Sequence, residues 1–417
     1  MQSNADILRS LFDAALQAAL PDGKFEGRLP ARPKGRTIVL GAGKASARMA
    51  AAFEDAWSKI GGSCEGLVVT RYGHGAKTRS IEIVEAAHPV PDQAGLDAAR
   101  RILSLAKEAG PDDLVVCLIS GGASALLSLP AEGLSLGDKQ EINRALLRSG
   151  APIGEMNQVR KALSAIKGGR LAAAVRPALL VTYLISDVPS DDPGSIGSGP
   201  TIPERVDPDA ALSILRRYAI DVPEHVANAI RANAAAGDVP GGVVHMLATP
   251  KMALDAAAQR ARELGLSPLI LGDAIEGEAR EVGRVMAGIT RSVLQYGEPI
   301  KTPCVLLSGG ETTVTVRGKG RGGRNAEFLL SLAISLKDVA GVAAIACDTD
   351  GIDGSEDNAG AWFDGELAAA ARRKELDLDA YLTSNDAYTA FSALDRLIIT
   401  GPTLTNVNDF RCILVRS

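Results

Sequence analysis

Short apolar runs recur along the whole chain, each ending in a turn rich in Gly, Asp or Ser and leading into an Ala- and Leu-rich stretch. This alternation constrains the fold more than any other feature, because parallel strands need helical crossovers between them. In the first part, residues 37–40, 67–70, 81–84, 113–119 and 178–185 read as strands, and 44–59, 92–109, 136–148 and 156–175 as helices. The pattern restarts after the Gly/Pro-rich stretch 237–242. Strands are then expected at 243–247, 268–271, 304–308 and 342–347, and helices at 251–264, 278–296, 326–336 and 363–376. The expected architecture is two α/β domains, 1–237 and 238–417, with largely parallel, Rossmann-like sheets and an interdomain cleft. Further strands near 397–399 and 412–415 complete the second domain, and the last is free to cross back to the first.

Charge narrows the function classes. Lys+Arg 45 against Asp+Glu 50 leaves a net charge of −5, which lacks the electrostatic footprint of a nucleic-acid binder. No apolar run approaches the roughly 20 residues that span a bilayer. The five cysteines are odd in number and scattered, with no Cys-x-x-Cys pair, so neither a disulfide framework nor a cysteine zinc site is expected. The polar N-terminus lacks the pattern of a secretion signal. A cytoplasmic protein acting on a small molecule is the expectation; a homodimer is compatible with it, and neither nucleic acid nor a membrane is needed.

The turns carry the chemistry. Gly41-Ala-Gly43-Lys44 stands between a strand and a helix, where glycines let the backbone approach a ligand and the helix N-terminus favours an anion. It is not a Walker loop, because Ala45 stands where Ser or Thr is required. Ser46 in place of a third glycine, and Thr70-Arg71 where an acidic ribose ligand belongs, count against a dinucleotide site. Ser120-Gly121-Gly122-Ala123-Ser124 follows a second strand and offers another backbone-rich turn. Arg160 and Lys167 lie two helical turns apart, which suits either a carboxylate clamp or a solvated basic face. The loop of residues 186–205, with Asp187 and Asp191, is too long and polar for a plain connector.

In the second half, Ser308-Gly309-Gly310-Glu311-Thr312 leads to the run Arg317–Asn325, in which cations alternate with glycines around Lys319, Gly322, Gly323 and Arg324. A flexible loop folding cations and N–H groups around polyphosphate is the expected use. Asp348 and Asp350 end another strand and suit Mg2+ or a substrate hydroxyl. A calcium loop is excluded, because Ala359 stands where its bidentate Glu belongs. Thr400–Asp409 by itself is a polar turn.

In order, Gly41–Ala45, His88-Pro-Val-Pro-Asp92, Ser120–Ser124 and Met156-Asn-Gln-Val-Arg-Lys161 are followed by Ser308–Thr312, Gly322–Asn325, Asp348–Asp353 and Thr400-Gly-Pro-Thr403. This ordered set resembles the class II glycerate kinases, whose C-terminal half is a MOFRL-type domain, over nearly the whole chain. It departs at Ala326, where the family usually has Gln. The resemblance implies ATP- and Mg2+-dependent phosphorylation of D-glycerate to 2-phosphoglycerate, and the choice of the 2-position rests on it alone. Some members are called hydroxypyruvate reductases, so an NAD(P)H-dependent reductase is the alternative, as is a kinase for another small hydroxy acid. By the same resemblance, Lys44 and Arg324 match the catalytic cations. Asp187 or Asp191 would orient the hydroxyl. Ser120, Gly121, Gly122 and Arg160 would hold glycerate. Gly41, Gly43, Ser308, Gly309, Gly310, Thr312, Lys319, Gly322, Gly323 and Asn325 would hold ATP, and Glu311, Asp348 and Asp350 the metal.

Overall fold

A computed structural model describes residues 2–233, 241–337 and 339–416. The chain forms two compact α/β units, Pro21–Leu247 and the pair Met1–Leu20 with Ala248–Ser417. The division expected at 237/238 lies outside the described residues; the units part ten positions later, and the first twenty residues join the C-terminal part. Among the described residues, no helix is long and apolar enough to cross a membrane.

The first unit is built on a six-stranded sheet. Its strands are β1 (Thr37–Ala42), β2 (Glu65–Arg71), β3 (Ile81–Ala86), β4 (Leu114–Ile119), β5 (Leu179–Ile185) and β6 (Val243–Ala248), in the order β3-β2-β1-β4-β5-β6. Every pairing from β3 to β5 is parallel, as expected. β1 and β4 are buried along their whole length, which explains why both read as unbroken apolar runs. The residues 243–247, expected to open the second domain, instead close this sheet as the edge strand β6. Strand order reverses between β1 and β4, and Ala42 is in register with Ile119, so the turns after these two strands start side by side. In doubly wound sheets that is where ligands bind.

The second unit holds β7 (Ser267–Gly272), β9 (Cys304–Gly310), β11 (Val342–Asp348), β12 (Gly360–Phe363), β13 (Leu397–Ile398) and β14 (Asp409–Val415), in the order β13-β12-β11-β14-β9-β7. A two-stranded ribbon, β8 (Gly277–Glu278) with β10 (Thr312–Thr313), stands apart. This sheet is mixed: β7 and β9 pair in parallel, and its other pairings are antiparallel. Two of these pairings come from β14, which inserts between β9 and β11, antiparallel to both. Alternation along β14 covers both faces: the Phe410 ring meets Phe12 at 5.7 Å, and Arg411 lies over the Phe328 ring on the other side at 5.2 Å. Phe12 belongs to the helix Asn4–Ala19, which begins in a capping box between Ser3 and Asp6. Its buried Leu8, Leu11, Phe12, Ala15 and Ala19 follow helical spacing and form one apolar face. Full burial of a residue such as Phe12 contributes about 2–3 kcal/mol, enough to hold this helix on the second unit despite its distance in sequence.

Candidate active site

At the switch point of the first unit, the two turns are bonded to each other. The amide of Gly43 donates to Val69 O (3.1 Å), that of Lys44 to Gly121 O (2.8 Å), that of Ala45 to Ser120 Oγ (3.0 Å) and that of Ser46 to Gly43 O (3.2 Å). These are the N–H groups that a nucleotide-binding turn would aim at phosphate. Gly41 and Gly43, expected at phosphate, thus stand at a turn whose N–H groups are engaged within the protein. Gly41 lies within β1, where a Cβ would fall 2.6 Å from Leu118 O, and a Cβ on Gly43 (φ +135) would fall 2.1 Å from Ser120 Oγ. Both glycines serve the close approach of one strand end to the other. Ser120, expected at the substrate, is fully buried, and its hydroxyl lies 3.2 Å from Ser46 Oγ. The side chain of Lys44 remains half-buried at this turn. A Cβ on Gly122 (φ +81) would fall 3.2 Å from both Lys44 Cγ and the His88 ring, so Lys44, Gly122 and His88 form one wall.

Beside that wall is a cavity of about 180 Å3, lined by His88, Gly122, Ser124, Lys139, Asn143, Arg160 and Lys167 among others, with no acidic residue in its lining. The expected continuous helix 156–175 is broken. It ends at Ala162, and Gly168 and Gly169 take left-handed backbone (φ +60 and +80) before a second helix, Arg170–Val175. Arg160 and Lys167 thus reach the same cavity from a helix and from a loop, not from one helical face. Arg160 donates to Asn143 Oδ1 (2.9 Å) and Asn157 Oδ1 (3.4 Å), neutral amides that aim it without neutralising it. Burial, reinforced by the Arg160 charge, pulls the Lys139 ammonium down to about 7. Burial pulls Lys167 well below its usual range, with Lys139, Arg160 and Lys161 adding to the effect.

The loop 186–205 packs on this region: Ser198 Oγ lies 2.9 Å from Ser124 Oγ, and Lys167 Nζ donates to Gly197 O (3.2 Å). Ser190, Asp191 and Ser198 all have positive φ (68, 53 and 63), a strain that non-glycine residues keep mainly where a site requires it. Asp187 and Asp191 are both half-buried here, after β5.

In the second unit the ends of three strands converge on one arginine. Arg324, first residue of the helix Arg324–Ser335, donates through Nε to Asp409 (2.8 Å), through Nη1 to Glu311 (2.6 Å) and through Nη2 to Asp348 (2.9 Å). Register makes this possible, because Asp409 pairs with Gly310 on one side and Asp348 on the other. The three carboxylates push the guanidinium well above its ordinary range, against the opposing effect of burial. Arg411 is buried and pairs with the second oxygen of Asp409, while donating to Gly309 O (3.1 Å) and Thr312 Oγ1 (3.3 Å). Asp409 and Arg411 were missed in sequence; a charged pair two apart on a buried strand, both facing one way, was the available signal.

Several residues expected at phosphate are engaged within the protein here. Asn325 is fully buried, its amide bonded to Asp409 (2.8 Å) and Asp353 (3.4 Å), so it braces the site. Ser308 is buried, and a Cβ on Gly310 would fall 2.2 Å from Ile275 N. The Arg/Gly run is not a flexible cradle: Arg317 and Gly318 amides donate to Asn385 Oδ1, Gly320 to Ser384 O and Arg321 to Asp386 Oδ1. Gly318, Gly320 and Gly323 lie where a Cβ would meet Ser384, Asp386 and Asp353. Gly322 (φ +146) is half-buried; Lys319 is exposed. The metal trio is not a ready cage either. Glu311 and Asp348 each give an oxygen to Arg324, the other oxygen of Asp348 accepts the Asp350 amide (3.0 Å), and Asp350 accepts from Ile352 N (2.9 Å). Among the described residues no three acidic, His or Cys side chains are disposed to hold a metal.

Asp353 caps the Arg324 helix, accepting from Asn325 N (2.9 Å) and Ala326 N (2.8 Å). Burial nonetheless raises its carboxyl from 3.8 to about 6, with nearby Asp409 adding to the rise. A raised carboxyl binds its proton better folded than unfolded, so this group's contribution to stability falls as pH rises from about 4 to about 6. The thermal stability of the wild type relative to Asp353→Asn should therefore decline by about 2–3 kcal/mol over that window. Parallel pH profiles of the two melting temperatures would refute the shift.

Known proteins share this organisation. Residues 7–231 match a domain of unknown function, DUF4147, and residues 304–409 match the MOFRL family. The D-glycerate 2-kinase of Thermotoga maritima is 41% identical over 397 residues, covering 95% of this chain and 94% of the kinase. The crystal structure of glycerate kinase from Thermotoga maritima matches with a TM-score of 0.89 at 38% identity, covering 98% of this chain and 99% of that one. A protein of Agrobacterium vitis, provisionally named a hydroxypyruvate reductase, is 53% identical over 418 residues, or 99% of this chain and 95% of that protein. The two α/β units and their extent thus define an enzyme of the glycerate-kinase class. The chain belongs to the class II glycerate kinase family, with a MOFRL domain in its C-terminal part.

Proposed function

We propose that the protein transfers the γ-phosphoryl group of ATP to the 2-hydroxyl of D-glycerate. Kinship with the Thermotoga maritima D-glycerate 2-kinase supports the substrate and position. The provisional name of the Agrobacterium vitis relative raises the reductase alternative. The observation that carries the kinase reading over it is the turn after β1. A nicotinamide enzyme of this topology holds pyrophosphate on that turn's N–H groups, and here the four from Gly43 to Ser46 are bonded inside the protein.

Phosphoryl transfer asks a protein mainly for positioning and charge neutralisation. Lys44 supplies a cation on a turn made rigid by its bonds to the β4 turn. Arg324 supplies another, its orientation set by three carboxylates. Asp187 or Asp191 orients the acceptor hydroxyl. Mg2+ needs one or two carboxylates when phosphate oxygens and waters complete its shell, which suits half-exposed Glu311 with Asp350 better than a three-carboxylate cage. Arriving with ATP, Mg2+ would neutralise phosphate charge.

Two parallel assays test this. ADP release with ATP, Mg2+ and D-glycerate, with the product read by phosphorus NMR, should depend on glycerate and give the 2-phosphate. Oxidation of NADH or NADPH by hydroxypyruvate without ADP release would overturn the kinase reading.

A further inference from the structure

The cavity beside Gly122 holds an electrostatic imbalance that the fold does not itself resolve. Lys139, on the helix Leu136–Ser149, is 7% exposed, and its Nζ has no hydrogen-bond partner among the described residues. Lys167 is fully buried and donates to a neutral carbonyl, Gly197 O. Arg160 faces the same space and is held by two neutral amides. Lys161, the next cation along, is paired with Glu204. No carboxylate lines the cavity to balance the other three. Burying a charge without a partner is strongly unfavourable, so three basic side chains around one space, two of them pushed towards the neutral amine by burial, mark where a ligand brings the negative charge that holds them protonated.

We propose that Lys139, Lys167 and Arg160 form the subsite for the carboxylate of a small hydroxy acid, with Lys139 the residue that makes a free acid group obligatory. The identity of that acid as D-glycerate rests on the kinase reading above. The space of about 180 Å3 suits an acid of a few carbons. Asn143, Ser124 and His88 beside it carry polar groups suited to hydroxyls. Lys139 carried no signal in the sequence, standing as one Lys on a polar amphipathic helix.

The test uses the full-length protein with Lys139→Met and, as a second variant, Lys167→Met. Steady-state kinetics give KM for D-glycerate and for ATP; calorimetry gives Kd for D-glycerate alone. The expected result is a rise of about 10- to 100-fold in both KM and Kd for D-glycerate, with KM for ATP unchanged. The ligand-free Lys139→Met protein should also melt no lower than the wild type, because Lys139 Nζ makes no hydrogen bond among the described residues. Wild-type KM and Kd for D-glycerate in both variants would overturn the subsite. A raised KM for ATP with that for D-glycerate unchanged would also overturn it, making the cavity a phosphate site. If the wild type binds D-glycerate in a Lys139-dependent manner but releases no ADP, the subsite stands and the kinase reading falls.

Discussion

Arg324→Ala should lower kcat/KM for glycerate-dependent ADP release by about 10^2- to 10^3-fold, the usual cost of one preorganised electrostatic donor, and should also destabilise the fold. The second effect follows from its partners. Asp409 is wholly buried and Asp348 nearly so, with side-chain exposures of 0% and 7%. Removing the arginine leaves both with less compensation. Breaking a buried ion pair from one side costs about 3–5 kcal/mol. Glu311, 52% exposed, should add little. Asp409 keeps Arg411 and the Asn325 amide, and Asp348 keeps the Asp350 amide, so the lower part of that range is the better expectation. Thermal unfolding and initial rates at 25 °C separate the two effects. Arg324→Lys keeps one charge but cannot reach three carboxylates with a planar fork, and should recover less than half of the lost stability. A folded Arg324→Ala protein with wild-type kcat/KM would remove Arg324 from the reaction. An unchanged melting temperature would mean that the three carboxylates do not depend on it.

Lys44→Met should behave in the opposite way towards stability. A loss of about 10^2- to 10^3-fold in kcat is expected if the ammonium meets charge that develops in the transition state. Stability should stay within about 1 kcal/mol, because the bond that locks the turn is the backbone one from Lys44 N to Gly121 O, which methionine retains. The contrast is diagnostic: the Arg324 guanidinium is integral to a buried ion network, while the turn that carries Lys44 is held by backbone bonds. Normal kcat in Lys44→Met would reject its role, and a large fall in melting temperature would show that the side chain supports the turn after all.

Much of the first unit was legible in sequence, because its strands are buried on both faces and its crossovers are helical. β1 and β4 read as unbroken apolar runs, and the turns singled out after them start side by side in the sheet. Which atoms matter there was not legible. Gly43 looks the same in sequence whether it admits a phosphate or a neighbouring turn, and only the partner, Ser120, decides. Arg160 and Lys167 were linked through a helix that the left-handed Gly168 and Gly169 interrupt. They meet nonetheless, because the loop after the break folds back on Ser198 and Gly199. The second unit was harder. Nothing local to residues 409–415 says that this strand inserts between β9 and β11 with both pairings antiparallel, and the apolar face of the helix Asn4–Ala19 does not name its partner.

By itself, the sequence determined the αβ alternation, the strand-end turns, the cations at positions 44 and 324 and the ordered motifs of the glycerate kinase family. These are local properties, set by side-chain periodicity and by backbone freedom within a few residues. Tertiary structure alone decided that Arg324 meets Asp409, 85 positions away, that Ser120 Oγ and Gly121 O take up the Ala45 and Lys44 amides, and that Lys139 is buried without a counter-charge. Each depends on which distant atom arrives beside a polar group. That is settled by strand order and register across the packed sheet, and the residues on either side of the group do not encode it.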